Sequence, residues 1–217
     1  LHIVTALCLE VPAPASELEA AFFAPLRERL FGDYEELSFY APYREGSLPE
    51  NIRVTELYLR AGSMKGRPAA QRSYISSNYT HIARDMLDLG VNVLVQLVAC
   101  RDGQEGLALS LSCNADLSLE ILELPRGSQR RPLCLAQVHE DLPYMELDAE
   151  VSVDAFDLVV RNNAYNRTLF AVPNAAVPAR DYAMAMHASS LIPDGGTLQI
   201  GIGALGDALA QACILRE

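Results

Sequence analysis

Positive charge is in short supply in this 217-residue sequence: 17 Lys and Arg stand against 28 Asp and Glu, a formal net charge of −11. The average field repels phosphate, which argues against a nucleic-acid or anionic-membrane partner, although a local basic patch remains able to hold one anionic ligand. No apolar run approaches the roughly 20 residues that cross a bilayer. The first residues also lack the basic, apolar and small-residue order of a signal peptide, so the expected setting is the cytoplasm. Close cysteine pairs are missing too. Cys8, Cys100, Cys113, Cys134 and Cys213 are odd in number and widely spaced, which fits reduced, buried thiols and neither a disulfide framework nor a zinc site. His2, His81, His139 and His187 show no ligand spacing, so no metal is expected. There is no periodic repeat and no low-complexity tract.

What the chain does have is apolar mass. Half of its residues (50%) are hydrophobic, which suits a globular core; the length fits one large domain, or one domain and part of another. Residues 15–31, ASELEAAFFAPLRERLF, open with Ser16 as N-cap and Glu19 as its capping-box partner, and continue with apolar residues at helical spacing. Pro25 is expected to end or kink a turn there. Strands are expected at residues 36–40 and 52–59, and a helix at 80–89 closed by Gly90. Residues 91–100, VNVLVQLVAC, form the continuous aliphatic run of a parallel strand covered on both faces. Residues 107–112, 132–139 and 156–160 read as further strands, 116–124 as a short helix, and 177–192 as a helix ahead of a strand ending at Ile200. The alternation predicts an α/β fold: an open, mostly parallel sheet with flanking helices on both faces. Residues 162–178, rich in Asn, Pro and Ala, are the natural boundary. Neither end reads as a natural terminus: the first residues resemble a strand already under way, and the last stop within a helical pattern, so the chain is expected to be a fragment of something longer.

Gly201-Ile202-Gly203-Ala204-Leu205-Gly206 matches the G-x-G-x-x-G string of dinucleotide-binding folds, with a short apolar stretch before it and an Ala- and Leu-rich helical stretch after it. Strand, glycine turn and helix make a suitable place for an anion. A dinucleotide site also needs an acidic residue at the end of a second strand, about 20 residues beyond the last glycine. Residues 207–217 are too few for that, so neither nicotinamide nor flavin is expected.

Three ordered blocks point elsewhere: PLCLAQVHEDLPYM (132–145), VDAFDLVV (153–160) and HASSLIPDGGTLQIGIGALGDAL (187–209). Together they resemble the acetyl-CoA hydrolase/acetyl-CoA transferase branch of the family I CoA-transferases. The resemblance implies the CoA-transferase superfamily fold, with residues 1–175 as an N-terminal CoA-transferase-like domain and 176–217 as the truncated start of a second one. It implies transfer of CoA between an acyl-CoA thioester and a carboxylate, or water, through a glutamyl intermediate. Coenzyme A is then the co-substrate, acyl-CoA and small carboxylates are the substrates, and the partners are the remainder of the same polypeptide and further copies in a homo-oligomer. The backbone N–H groups of Ile202 and Gly203 would serve as oxyanion donors, and Gly201 and Ala204 would let the CoA thiol arm approach. The sequence departs from the family in three places: Gly206 replaces the usual Pro, residues 99–112 keep only an Asp-x-x-x-Gly outline of the family block, and the nucleophilic glutamate lies further from the turn than Glu217, so the fragment is expected to be inactive.

Each of these residues also has a plainer reading. The glycine turn serves equally as a tight strand-to-helix connection, and Asp194-Gly195-Gly196 as an ordinary turn. Arg60, Lys65, Arg67 and Arg72 form a basic loop that either meets CoA phosphates or is solvated. His139 and Glu140 sit at a strand end where open α/β sheets place ligand-facing residues, or simply on an exposed loop; His187 reads as a packing or surface residue. The competing functions are a non-catalytic acyl-CoA-binding or regulatory protein on the same fold and, more remotely, a sugar-phosphate isomerase-like domain.

Overall fold

The computed structural model describes residues 1–6, 8–103, 106–170 and 175–216, and the chain forms two compact units, residues 1–169 and 170–217. In the first unit, strand β1 (His2–Thr5) leads to helix α1 (Glu17–Phe31), α2 (Tyr40–Glu45) and β2 (Arg53–Glu56), which pairs in parallel with β1. Ser16 caps α1 as the pattern requires: its Oγ accepts the Glu19 N–H at 3.2 Å, while Glu19 reaches back to the Ala15 N–H at 2.7 Å. Pro25 does not end this helix, which continues through it to Phe31.

Residues 36–40 are not the expected strand. A turn closes there and α2 begins at Tyr40, because one helical turn is what carries both Tyr40 and Tyr43 into the same core. The expected strand at 52–59 is shortened to Arg53–Glu56, where its parallel ladder with β1 stops at Thr5.

After α3 (Pro68–Arg72) and α4 (Ile82–Asp88), closed at Gly90 with φ +77°, comes the main sheet. It consists of β3 (Val93–Gly103), β4 (Gly106–Ser110), β5 (Leu133–Val138), β6 (Glu150–Val151) and β7 (Leu158–Val160), in the order β6-β4-β3-β5-β7. The β3–β5 and β5–β7 ladders are parallel, whereas β3–β4 and β4–β6 are antiparallel. The chain is thus mixed α/β with a central sheet and flanking helices. The hairpin falls in the divergent 99–112 block, of which residues 104 and 105 lie outside the described residues.

Helices α4 and α5 (Ala115–Leu122) supply Ala83, Ile121 and Leu122 to one face of this sheet, over Leu94, Val98, Leu109, Cys134 and Val138. Gln96 is tolerated in that core because the Ser118 hydroxyl and the Leu97 carbonyl take its amide group. The opposite face is not covered as the aliphatic run suggested. Val93, Val95, Leu133 and Leu158 stand exposed on it, Val95 at 62%. A run that is apolar on both faces records that both are suited to burial; it does not supply the element that buries the second.

In the second unit, α6 (Ala179–Ser189) and α7 (Ala204–Arg216) pack through Ala185, Ala208 and Ala212. Residues 197–200 do not form the expected buried strand. They have no ladder partner among the described residues, and Leu198 and Ile200 are exposed; a strand exists only with a neighbour to take its N–H and C=O groups. The boundary stretch 162–178 contains residues 171–174, which lie outside the described set.

Candidate functional site

The glycine turn at the start of α7 is where local sequence and geometry agree most closely. Gly203 has φ +140°, a backbone region that side chains of L-residues rarely adopt, and its carbonyl accepts the Asp207 N–H at 3.1 Å to open the helix. A Cβ on Gly206 would stand 2.3 Å from the Gly201 carbonyl oxygen. The third glycine is therefore a close-approach residue that lets the first turn of α7 fold against the loop. The N–H groups of Ile202 and Gly203 make no hydrogen bond among the described residues, and the Ile202 side chain is 99% exposed. These groups, with the unpaired N–H groups of the first helical turn, carry the positive end of the α7 dipole. They border an open depression of about 470 Å³ lined by residues 199–206 and Leu209, a size within the usual range for small-molecule sites. Gly201, Ile202, Gly203 and Ala204 are thus brought together as a small, donor-rich concavity.

Arg216, which sequence reading did not single out, braces this unit from the far end of α7. Its guanidinium donates to the Ser189 carbonyl, to the Ile192 carbonyl at 2.7 Å and to Asp194 at 2.7 Å. The Asp194 turn therefore has an ionic partner that only the helix pairing reveals. His187 lies exposed in the last turn of α6. Glu217 lies outside the described residues.

The other sequence candidates belong to the first unit. His139, only 2% exposed, follows the end of β5. Its Nδ1 accepts the Asp141 N–H at 3.2 Å, and its Nε2 meets the Arg167 carbonyl at 2.8 Å and the Arg167 N–H at 3.3 Å. Both ring nitrogens are therefore engaged in holding the 162–167 loop at the strand end, and His139 is a structural clamp here, whereas neighbouring Glu140 is exposed. In the basic loop, Arg60 pairs with Glu10 at 2.9 Å, and Lys65, Arg67 and Arg72 are exposed. A second unforeseen anchor is Asp157. It accepts from the Cys134 N–H at 2.8 Å, Arg131 at 3.0 Å and Arg126 at 3.2 Å, and these partners hold its carboxyl below the usual range.

No group of three or more His, Cys, Asp or Glu able to hold a metal occurs among the described residues. All five cysteines are free; Cys8 and Cys134 are buried as expected, Cys100 and Cys213 are half-buried, and Cys113 is exposed because it stands in the turn before α5. No described helix is long and apolar enough to cross a membrane.

No family model and no curated protein matches this chain. Solved structures do. RipA from Yersinia pestis matches with a TM-score of 0.52 at 20% identity, over 97% of this chain and 49% of RipA. A singly substituted RipA variant gives 0.53 at the same 20% identity. The chain therefore shares the overall fold of RipA. A 4-hydroxybutyrate CoA-transferase from Porphyromonas gingivalis overlaps more loosely, with a TM-score of 0.46 at 19% identity, over 97% of this chain and 46% of that one. The chain spans about half the length of the solved proteins it matches.

Proposed function

We propose that this chain is the N-terminal part of an acyl-CoA hydrolase/CoA-transferase of the acetyl-CoA hydrolase branch, with coenzyme A as co-substrate. The observation that carries the reading is the α7 turn, where unpaired Ile202 and Gly203 N–H groups, a positive-φ Gly203 and the Gly206 close approach fall within a block that resembles that branch. The RipA-like fold supports it at the level of architecture. In the proposed chemistry a glutamate carboxylate attacks the acyl-CoA thioester, forming an acyl-glutamyl anhydride and expelling the CoA thiolate. The thiolate then attacks the glutamyl carbonyl, giving a glutamyl-CoA thioester and releasing the first carboxylate; an acceptor carboxylate repeats the sequence, or water hydrolyses the intermediate. Each attack develops negative charge on a carbonyl oxygen, which fixed backbone donors stabilise without reorganising. The Ile202 and Gly203 N–H groups are the proposed donors, with Gly201 and Ala204 leaving room for the thiol arm. In this reading the nucleophile is a glutamate further from the turn than Glu217.

The experiment is acyl exchange and thioester hydrolysis with the longer protein containing this chain, using acetyl-, propionyl- and succinyl-CoA as donors and trapping the intermediate with hydroxylamine or borohydride. A trapped glutamate beyond residue 217 is the expected result. The divergent 99–112 block, where exposed Asp102 is tied to Arg161 at 3.1 Å, favours one second reading, a non-catalytic acyl-CoA-binding protein on the same fold. CoA binding without trapping or turnover would replace the first reading by the second.

A further inference from the structure

The first unit holds a cavity that neither the three sequence blocks nor the α7 turn accounts for. It encloses about 130 Å³ between the segment 9–14, the Arg27 side of α1, residues 36–37 and α2. An apolar cavity of roughly 150 Å³ holds benzene, a ligand of about six heavy atoms. Val11, Pro12, Pro14 and Leu37 give this one aliphatic walls, and the two prolines fix φ along the segment, so that wall is stiff.

Four charged residues line the cavity: Glu10, Arg27, Glu36 and Arg44. Three of them are already committed. Glu10, whose side chain is 10% exposed, is bracketed by the guanidinium groups of Arg44 and Arg60. Glu36 Oε1 accepts the Val11 N–H at 3.0 Å. Arg27 has no ion pair and no side-chain hydrogen bond among the described residues. It follows half-buried Phe23 by one helical turn and precedes half-buried Leu30 by another, on the face of α1 turned toward the rest of the unit. The two arginines around Glu10 leave one positive charge over, and Arg27 adds a second against the single charge of Glu36. The cavity is therefore net positive in a chain with 28 acidic against 17 basic residues.

We propose that this cavity is a binding site for a short aliphatic monocarboxylate, of about three or four carbons by its volume, with the carboxylate on Arg27 and the alkyl tail against Val11, Pro12, Pro14 and Leu37. A carboxylate matches the planar fork of a guanidinium and forms charge-assisted hydrogen bonds with it. Butyrate has the heavy-atom count that a space of this size takes, and its tail presents only carbon to walls that are mostly carbon. A second carboxylate on the ligand would meet apolar walls and the charges of Glu10 and Glu36, so dicarboxylates are disfavoured. Binding there involves no thioester and no residue of the α7 turn, so it is independent of the transferase chemistry.

The test is a titration of the whole chain with sodium butyrate, read from the amide resonances of Leu9, Val11, Ala13 and Arg27, with sodium chloride at equal ionic strength as the blank. Saturable shifts at these and the other lining residues are expected at millimolar concentration. Butyramide, the uncharged isostere, and succinate should each bind at least about tenfold more weakly. Arg27→Gln should lose about tenfold or more in affinity, the worth of a hydrogen bond to a charged group, and Arg27→Lys, which keeps the charge, should recover part of it. Ala41→Leu fills the cavity with the charges intact and should abolish binding. Both positions are exposed, so the fold tolerates these changes. No saturable shift below about 100 mM butyrate, butyramide or succinate binding as well as butyrate, or an unchanged affinity in Arg27→Gln or Ala41→Leu overturns the site.

Discussion

Gly206→Ala isolates what the glycine turn requires. The added methyl carbon would sit 2.3 Å from the Gly201 carbonyl oxygen and 2.8 Å from Ile200 Cγ2. The isoleucine tip can rotate away. The carbonyl is backbone and gives way less readily than a side-chain tip. Overpacking of this kind costs about 1–3 kcal/mol, and the upper half of that range applies because the obstacle is backbone. Alanine returns up to about 1 kcal/mol of helix propensity. The net expectation is a loss of about 1–2 kcal/mol confined to α7 and its turn, a fall of roughly 5–30-fold in amide protection across residues 204–216. Gly201→Ala is the control: nothing lies within 4 Å of its Cβ, so the change is neutral or stabilising by about 0.4–1 kcal/mol. Hydrogen exchange by mass spectrometry on both variants decides the matter. If Gly206→Ala protects α7 as well as glycine does, or if Gly201→Ala is equally damaging, the close-approach account of this turn is wrong.

Three further outcomes test the first unit. Asp157→Asn should flatten the acid limb of the stability curve: the stabilisation its partners provide is present above the ordinary aspartate value of about 3.9 and lost as pH falls through the depressed folded value, so melts from pH 7 to 2 should differ most at neutral pH and converge in acid. His139→Ala strips a buried clamp from the Arg167 carbonyl and should cost about 1–3 kcal/mol, with exchange accelerating first at residues 162–167. Val95→Thr on the open face should stay within about 0.5 kcal/mol in a denaturant titration, while Val98→Thr, at 0% exposure, should lose about 1–3 kcal/mol for its buried hydroxyl.

Local signals were read correctly where the physics is local. Ser16 and Glu19 cap α1 because a capping box is satisfied within four residues. Gly90 ends α4 because glycine alone tolerates its φ of +77° cheaply. The aliphatic run 91–100 is the central strand, and the α7 turn carries its glycines for backbone reasons visible in their spacing. The reading failed where a partner was needed. Residues 36–40 alternate well enough for a strand, yet Tyr40 and Tyr43 reach a common core only on a helix. Residues 197–200 have strand composition and no ladder partner among the described residues.

By itself, the amino-acid order determined the capped helix α1, the central strand of the main sheet, the α/β class and the glycine-rich entry to α7, since each depends on residues a few positions apart. Tertiary structure alone decided the antiparallel hairpin beside the parallel ladders, the clamp at His139, the Arg216 brace, the Asp157 anchor and the cavity beside Arg27. The clamp, the brace and the anchor join residues about 20 to 30 positions apart, and a side chain's charge, partner and exposure at such distances are set by which elements meet, which no local pattern encodes.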